Sequence, residues 1–163
     1  MMKKMRYYTK LSILLAMVTM LMSTCDEIDC TLYNTVTLSC GFYAEDSKIA
    51  ITDTMTVSFG KGGRVLLNRS TNTSELTLPM SYWQETDTLV LTVSGEEYQL
   101  SDTLWISKTN TPHFESPDCP TNMFHQITSV ACTHGFIDSV TVVLPYVNYA
   151  QDENIKVYIH SSN

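Results

Sequence analysis

The side chains able to do chemistry here are chiefly the five cysteines and four histidines, and their spacing decides what they are for. His113, Cys119, His125, Cys132 and His134 lie at intervals of six, six, seven and two residues. These intervals lack the close ligand pair usual in structural zinc sites, so no metal centre is expected. Asp152, Glu153 and Asn154, or Glu96 and Glu97, are the calcium candidates, but no EF-hand spacing surrounds them and they read first as acidic turns. No nucleophile elbow, paired metal-binding histidine motif, phosphate-cradling glycine loop or dinucleotide fingerprint occurs. The expectation is a protein without cofactor that is not an enzyme. Tyr82, Trp83, Tyr98 and Trp105 are candidates for a sugar-stacking platform, although aromatic residues at strand ends more often pack at a rim.

Cys25 has a chemistry of its own. Lys3, Lys4, Arg6 and Lys10 form a cationic start, and the uncharged stretch from Leu11 to Met22 follows, the n- and h-regions of an export signal. A helix of twelve residues reaches only ~18 Å, short of the ~30 Å hydrocarbon core, so a cleaved signal is expected instead of a membrane span. Met22-Ser23-Thr24-Cys25 resembles a bacterial lipobox, with Met22 and Thr24 departing from the usual Leu and Gly or Ala. Residues 1–24 are then a signal peptide, Cys25 the lipidation site, 25–30 an acidic tether and 31–163 the domain. Two or three acyl chains, each buried methylene contributing about 0.8 kcal/mol, suffice for stable anchoring to a membrane.

Cleavage before Cys25 removes four of the ten basic residues and none of the seventeen acidic ones, leaving a net charge of -11. Such a surface repels nucleic acid and anionic headgroups. In an exported protein Cys30, Cys40, Cys119 and Cys132 form an even set expected to make disulfides. If Thr31–Ser39 is one continuous strand, Cys30 and Cys40 stand ~33 Å apart, beyond the ~7 Å that a disulfide allows. The same reasoning separates Cys119 from Cys132. An antiparallel first and late strand would pair Cys30 with Cys132 and Cys40 with Cys119.

Threonine, branched aliphatic and aromatic residues dominate beyond residue 30 and favour strands. Alternation predicts strands over 31–43, 49–59, 64–69, 74–79, 87–94, 98–107, 122–132, 137–144 and 154–160, with a long crossover at Thr111–Pro120. The expected fold is all-β, a single sandwich of about seven to nine strands with Ig-like or transthyretin-like topology. A recurrence marks four strand entries: Asp53-Thr54-Met55, Asp87-Thr88-Leu89, Asp102-Thr103-Leu104 and Asp138-Ser139-Val140. With the third residue of each facing the core, Thr54, Thr88, Thr103 and Ser139 face solvent. Aspartate, a hydroxyl residue and an apolar residue in series resemble the O-glycosylation acceptor of Bacteroidota exported proteins.

Cys25-Asp26-Glu27, the stretch Asn110–His125 (NTPHFESPDCPTNMFH) and Thr133–Ile159 are similar to a family of small, uncharacterised Bacteroidota lipoproteins. The resemblance implies an outer-membrane location, periplasmic or surface-facing, and brings no catalytic residues. The expected role is a membrane-anchored, non-enzymatic binding or envelope-assembly module with a protein or glycan partner. A glycan- or calcium-binding accessory protein is the alternative.

Overall fold

The computed structural model describes residues 35–117 and 119–160. Alternating apolar positions build eleven strands: β1 (Thr37–Ala44), β2 (Ser47–Lys48), β3 (Thr54–Phe59), β4 (Val65–Ser70), β5 (Glu75–Pro79), β6 (Thr86–Ser94), β7 (Gln99–His113), β8 (Asn122–Cys132), β9 (Ile137–Val142), β10 (Tyr146–Val147) and β11 (Ile155–Ile159). Among the described residues there is no helix. All nine predicted strands are present. β2 and β10 are additions of two residues each, too short to carry a readable alternation.

One sheet runs β2-β1-β11-β9, with β5 also paired to β1; the other runs β10-β8-β7-β6-β3-β4. β1 and β11 are parallel, which two strands so distant in sequence can be. The sheets face each other across Leu38, Cys40 and Phe42 of β1 and Val57, Leu91 and Ile106 of β3, β6 and β7, all buried. β6 shows the rule most simply: Asp87, Leu89, Leu91 and Val93 are buried while the residues between them are partly exposed. Several boundaries move from their predicted positions, two of them with consequences for the topology. The strand predicted from Ile49 begins at Thr54, with Ile51 reduced to an isolated bridge to Thr73. β7 continues through Pro112, pairing it with Met123, so the crossover begins at Phe114. Proline is tolerated there because β6 pairs β7 only as far as Ser107 and leaves the far edge without a ladder partner.

A buried carboxylate holds the corner where the chain passes from the second sheet to the first. Asp102 of β7 accepts hydrogen bonds from the Thr133 hydroxyl at 2.5 Å and from the Gly135, Phe136 and Ile137 N–H groups at 2.7, 2.7 and 2.8 Å. Burial pushes its pKa up, but the Thr133 hydroxyl and the three backbone donors outweigh that and hold it below the usual carboxylate value.

The expected disulfide pairing is overturned. Cys40 and Cys132 are free thiols, because β1 and β8 are not neighbours but lie in different sheets. Cys119 is disulfide-bonded, and Cys30 lies outside the described residues. Burial, reinforced by Glu153, pushes the Cys40 thiol up to about 12. Alkylation of the folded, unreduced chain is therefore expected to label half-buried Cys132 first and Cys40 only after unfolding. A disulfide-linked peptide containing either residue would contradict this assignment.

Candidate functional site

Besides Asp102 at the corner, three strands of the second sheet each place a polar residue on the core-facing parity, where apolar residues would ordinarily stand. Asp87 on β6, Lys108 on β7 and His125 on β8 are 2%, 2% and 3% exposed. A bulge between Ser107 and Lys108 shifts the β7–β8 register, and beyond it Asn110 lies opposite His125. Lacking a metal-site spacing, His125 and His134 read from sequence as surface residues at strand ends; His134 is exposed, but His125 is not, because it shares a face with buried Met123 and Ile127.

The Lys108 ammonium is fully occupied. It donates to the Ser81 carbonyl at 2.5 Å, the Gln84 carbonyl at 2.7 Å and the Asn110 Oδ1 at 2.8 Å, with Asp87 Oδ2 at 3.6 Å. Burial lowers the Lys108 pKa, and Asp87 acts against it. Burial likewise raises Asp87, while the Ser81 N–H and Lys108 pull it back. Asn110 also donates its amide to the Gln84 carbonyl at 3.0 Å. Its Oδ1 stands 2.7 Å from His125 Nδ1, and an amide oxygen only accepts, so Nδ1 carries the proton and Nε2 does not. Nε2 is buried without a hydrogen-bond partner.

What this cluster grips is the turn Met80–Glu85. Beyond the two carbonyls held by Lys108, the Ser81 N–H donates to Asp87 at 3.1 Å, and the Ser81 hydroxyl accepts from the Gln84 N–H at 3.2 Å. The Lys108 N–H donates to the Glu85 carbonyl at 2.7 Å. Burying an ammonium, a carboxylate and an imidazole is costly and is tolerated when their hydrogen-bonding capacity is met. Here Asp87 Oδ1 and His125 Nε2 go without a partner, and three of the bonds that the charged pair does make fix one turn. At the tip stands Trp83, 88% exposed. The turn separates two grooves. One, of about 500 Å³, is lined by Phe59, Arg64 and Thr88 among others. The other, of about 570 Å³, has Trp83 at its side and Thr86, Ser107, Thr109, Asn110 and Thr128 along it.

Burial, then the Lys108 charge, pushes the His125 pKa from 6.5 down to about 4. The folded state thus requires neutral imidazole while the unfolded chain protonates near 6.5. Stability from this group is full above pH 6.5 and is lost as pH falls toward 4, by about 3 kcal/mol. Asp87, raised in the folded state, contributes with the opposite sign. Urea unfolding of the native chain and of His125→Gln at pH 7 and pH 4 separates the two. The native chain is expected to lose more stability than the variant, and equal losses would contradict the buried neutral histidine.

The four aromatic candidates do not form one platform. Trp83 and Tyr98 flank opposite ends of β6, a nine-residue strand that spans ~27 Å. The Tyr98 hydroxyl donates to Asp53. Trp105 sits between them on the outer face, opposite Thr88 and 37% exposed, and Tyr82 tilts toward His125 at 6.3 Å. Of the hydroxyls in the aspartate recurrence, Ser139 is exposed and Thr54, Thr88 and Thr103 are half-buried. Expected at strand entries, Asp87 and Asp102 lie inside β6 and β7, buried and hydrogen-bonded. Two of the four recurrences therefore have a structural reason.

Among the described residues no group of three or more His, Cys, Asp or Glu converges as metal ligands. His113 stacks on Phe124 at 4.1 Å, and the His134 ring pairs with the Asp138 carbonyl at 2.8 Å. Of the calcium candidates, Glu153 accepts from the Tyr43 hydroxyl at 2.8 Å and pairs with Lys48 at 3.1 Å. Asn154 clamps the backbone at Ser39, Leu144 and Tyr146. Their oxygens already have protein partners. The lipidation candidate Cys25 lies outside the described residues.

A model for a family of unknown function, DUF6452, matches residues 49–159. The chain belongs to that family. The match takes in β3 to β11 and with them the DUF6452 chain's gripped turn, Met80–Glu85, and the Asp87, Lys108 and His125 that hold it. No curated protein and no solved structure matches the chain.

Proposed function

We propose that the protein is a non-enzymatic binding module of the bacterial cell envelope, held at the outer membrane by acyl chains on Cys25, with the Met80–Glu85 turn as its recognition element. The observation that carries the reading is a tryptophan 88% exposed on a turn whose carbonyls are held by a buried lysine. An indole left in water has no folding benefit, whereas tryptophan on a pre-ordered loop loses little entropy when a partner covers it. Catalysis is disfavoured by the same cluster. His125 offers the one buried basic nitrogen without a partner among these residues, and it is sealed from solvent with no nucleophile beside it. The anchoring half of the reading rests on the cationic start, the apolar stretch before Cys25 and the lipobox-like Met22–Cys25.

Two experiments test the halves separately. Intact mass of the protein from the membrane fraction is expected to correspond to a chain starting at an acylated Cys25. A soluble chain with unmodified Cys25 would overturn the anchoring. A photo-crosslinking amino acid at position 83 is expected to capture a discrete envelope component that the same probe at exposed Asp46, in the β1–β2 turn of the other sheet, does not. Equal capture from both positions would overturn the recognition element.

A further inference from the structure

Resting on that reading, we infer that the groove beside Trp83 binds a neutral saccharide chain, the indole stacking on the apolar C–H face of a sugar ring. The groove's chemistry points there on three counts.

First, its lining beyond the indole is mostly uncharged and hydrogen-bonding. Thr86, Ser107, Thr109 and Thr128 offer hydroxyls, while the Asn110 amide beside them is engaged by Lys108, His125 and the Gln84 carbonyl. Hydroxyls both donate and accept, as a polyhydroxyl ligand requires. The Thr86 and Ser107 hydroxyls bond each other at 3.2 Å across β6 and β7. They form a pair that can rotate toward a ligand at little cost.

Second, the groove is unsuited to anions. Among its lining residues Lys108 is the one cation, and its ammonium is consumed by Ser81, Gln84, Asn110 and Asp87. Glu85 contributes a negative charge to the same wall. An acidic polysaccharide or phosphorylated headgroup would meet repulsion without a compensating partner.

Third, the groove is sized and placed for an extended chain. Its volume of about 570 Å³ lies within the range of small-molecule sites. β7 continues away from it as Ser107 and Trp105 on one outer face, the second indole 37% exposed. Successive outward residues on a strand stand ~6.6 Å apart. A saccharide leaving Trp83 therefore runs along a hydroxyl-lined strand toward another aromatic.

The test uses the full chain purified in detergent and follows heat by titration calorimetry with neutral oligosaccharides (gluco-, xylo- and manno-hexamers) and with an oligogalacturonate of equal length. At least one neutral oligomer is expected to bind below about 10 mM. Trp83→Ala is expected to weaken it tenfold or more while leaving the thermal midpoint unchanged, since the side chain is exposed. Oligogalacturonate is expected to bind at least about tenfold more weakly. The inference is overturned if no neutral oligomer binds, if Trp83→Ala binds as the native chain does, or if the acidic oligomer binds equally. A position-83 crosslink to an envelope protein combined with no saccharide binding overturns this inference alone. Neither crosslink nor saccharide binding overturns the recognition-element reading as well.

Discussion

Asp102→Ala is expected to destabilise the domain by about 3–5 kcal/mol, read as a lowered urea midpoint with the slope nearly unchanged. The carboxylate accepts from the Thr133 hydroxyl and from the Gly135, Phe136 and Ile137 N–H groups, and Phe136 and Ile137 beside it are buried. Removing it strands donors at the corner that joins the two sheets, and stranded buried donors cost more than an ordinary hydrogen bond contributes. Asp102→Asn is the sharper comparison. It keeps the shape but loses the charge and one acceptor oxygen, so a loss of similar size is expected, with the midpoint again reporting. A variant within about 0.5 kcal/mol of the native chain would show that the corner is held by something else.

The second large effect is expected at Lys108. Lys108→Met keeps the aliphatic stem but removes the ammonium that holds the Ser81 and Gln84 carbonyls and faces Asp87. Breaking a buried ion pair from one side leaves an uncompensated charge, at a cost of about 3–5 kcal/mol. Part of that cost belongs to Asp87 and part to the turn, and a second substitution tells them apart. Asp87→Asn added to Lys108→Met removes the stranded carboxylate, so the double variant is expected to be more stable than Lys108→Met alone. Strict additivity of the two losses, measured by urea unfolding, would mean that the two residues do not interact.

The sandwich is legible in the sequence because period-2 alternation and turn residues are local signals. The nine long strands follow directly from them. The gripped turn is not read, although part of its signal is present. Asp87 shares parity with Leu89, Leu91 and Val93, and Lys108 with Leu104 and Ile106. A charged residue on the core side of a strand is anomalous, yet each stands near a strand end, where a polar residue is ordinarily assigned to a turn. His125 is likewise framed by Met123 and Ile127. What no local pattern carries is that these three side chains meet, because that depends on the β6-β7-β8 order and on the bulge at Ser107–Lys108. The disulfide expectation fails for the same kind of reason. It requires β1 to lie beside β8, and strand neighbours are a property of topology.

The claim on which the function rests is that the Met80–Glu85 turn is held rigid from beneath. Amide hydrogen exchange measures this directly at Ser81 and Gln84, whose N–H groups donate to Asp87 and to the Ser81 hydroxyl. Both amides are expected to exchange slowly in the native chain and quickly in Lys108→Met, at a denaturant concentration where β6 and β7 remain protected in each. Free exchange of both amides in the native chain, at the rate of an unstructured loop, would contradict it.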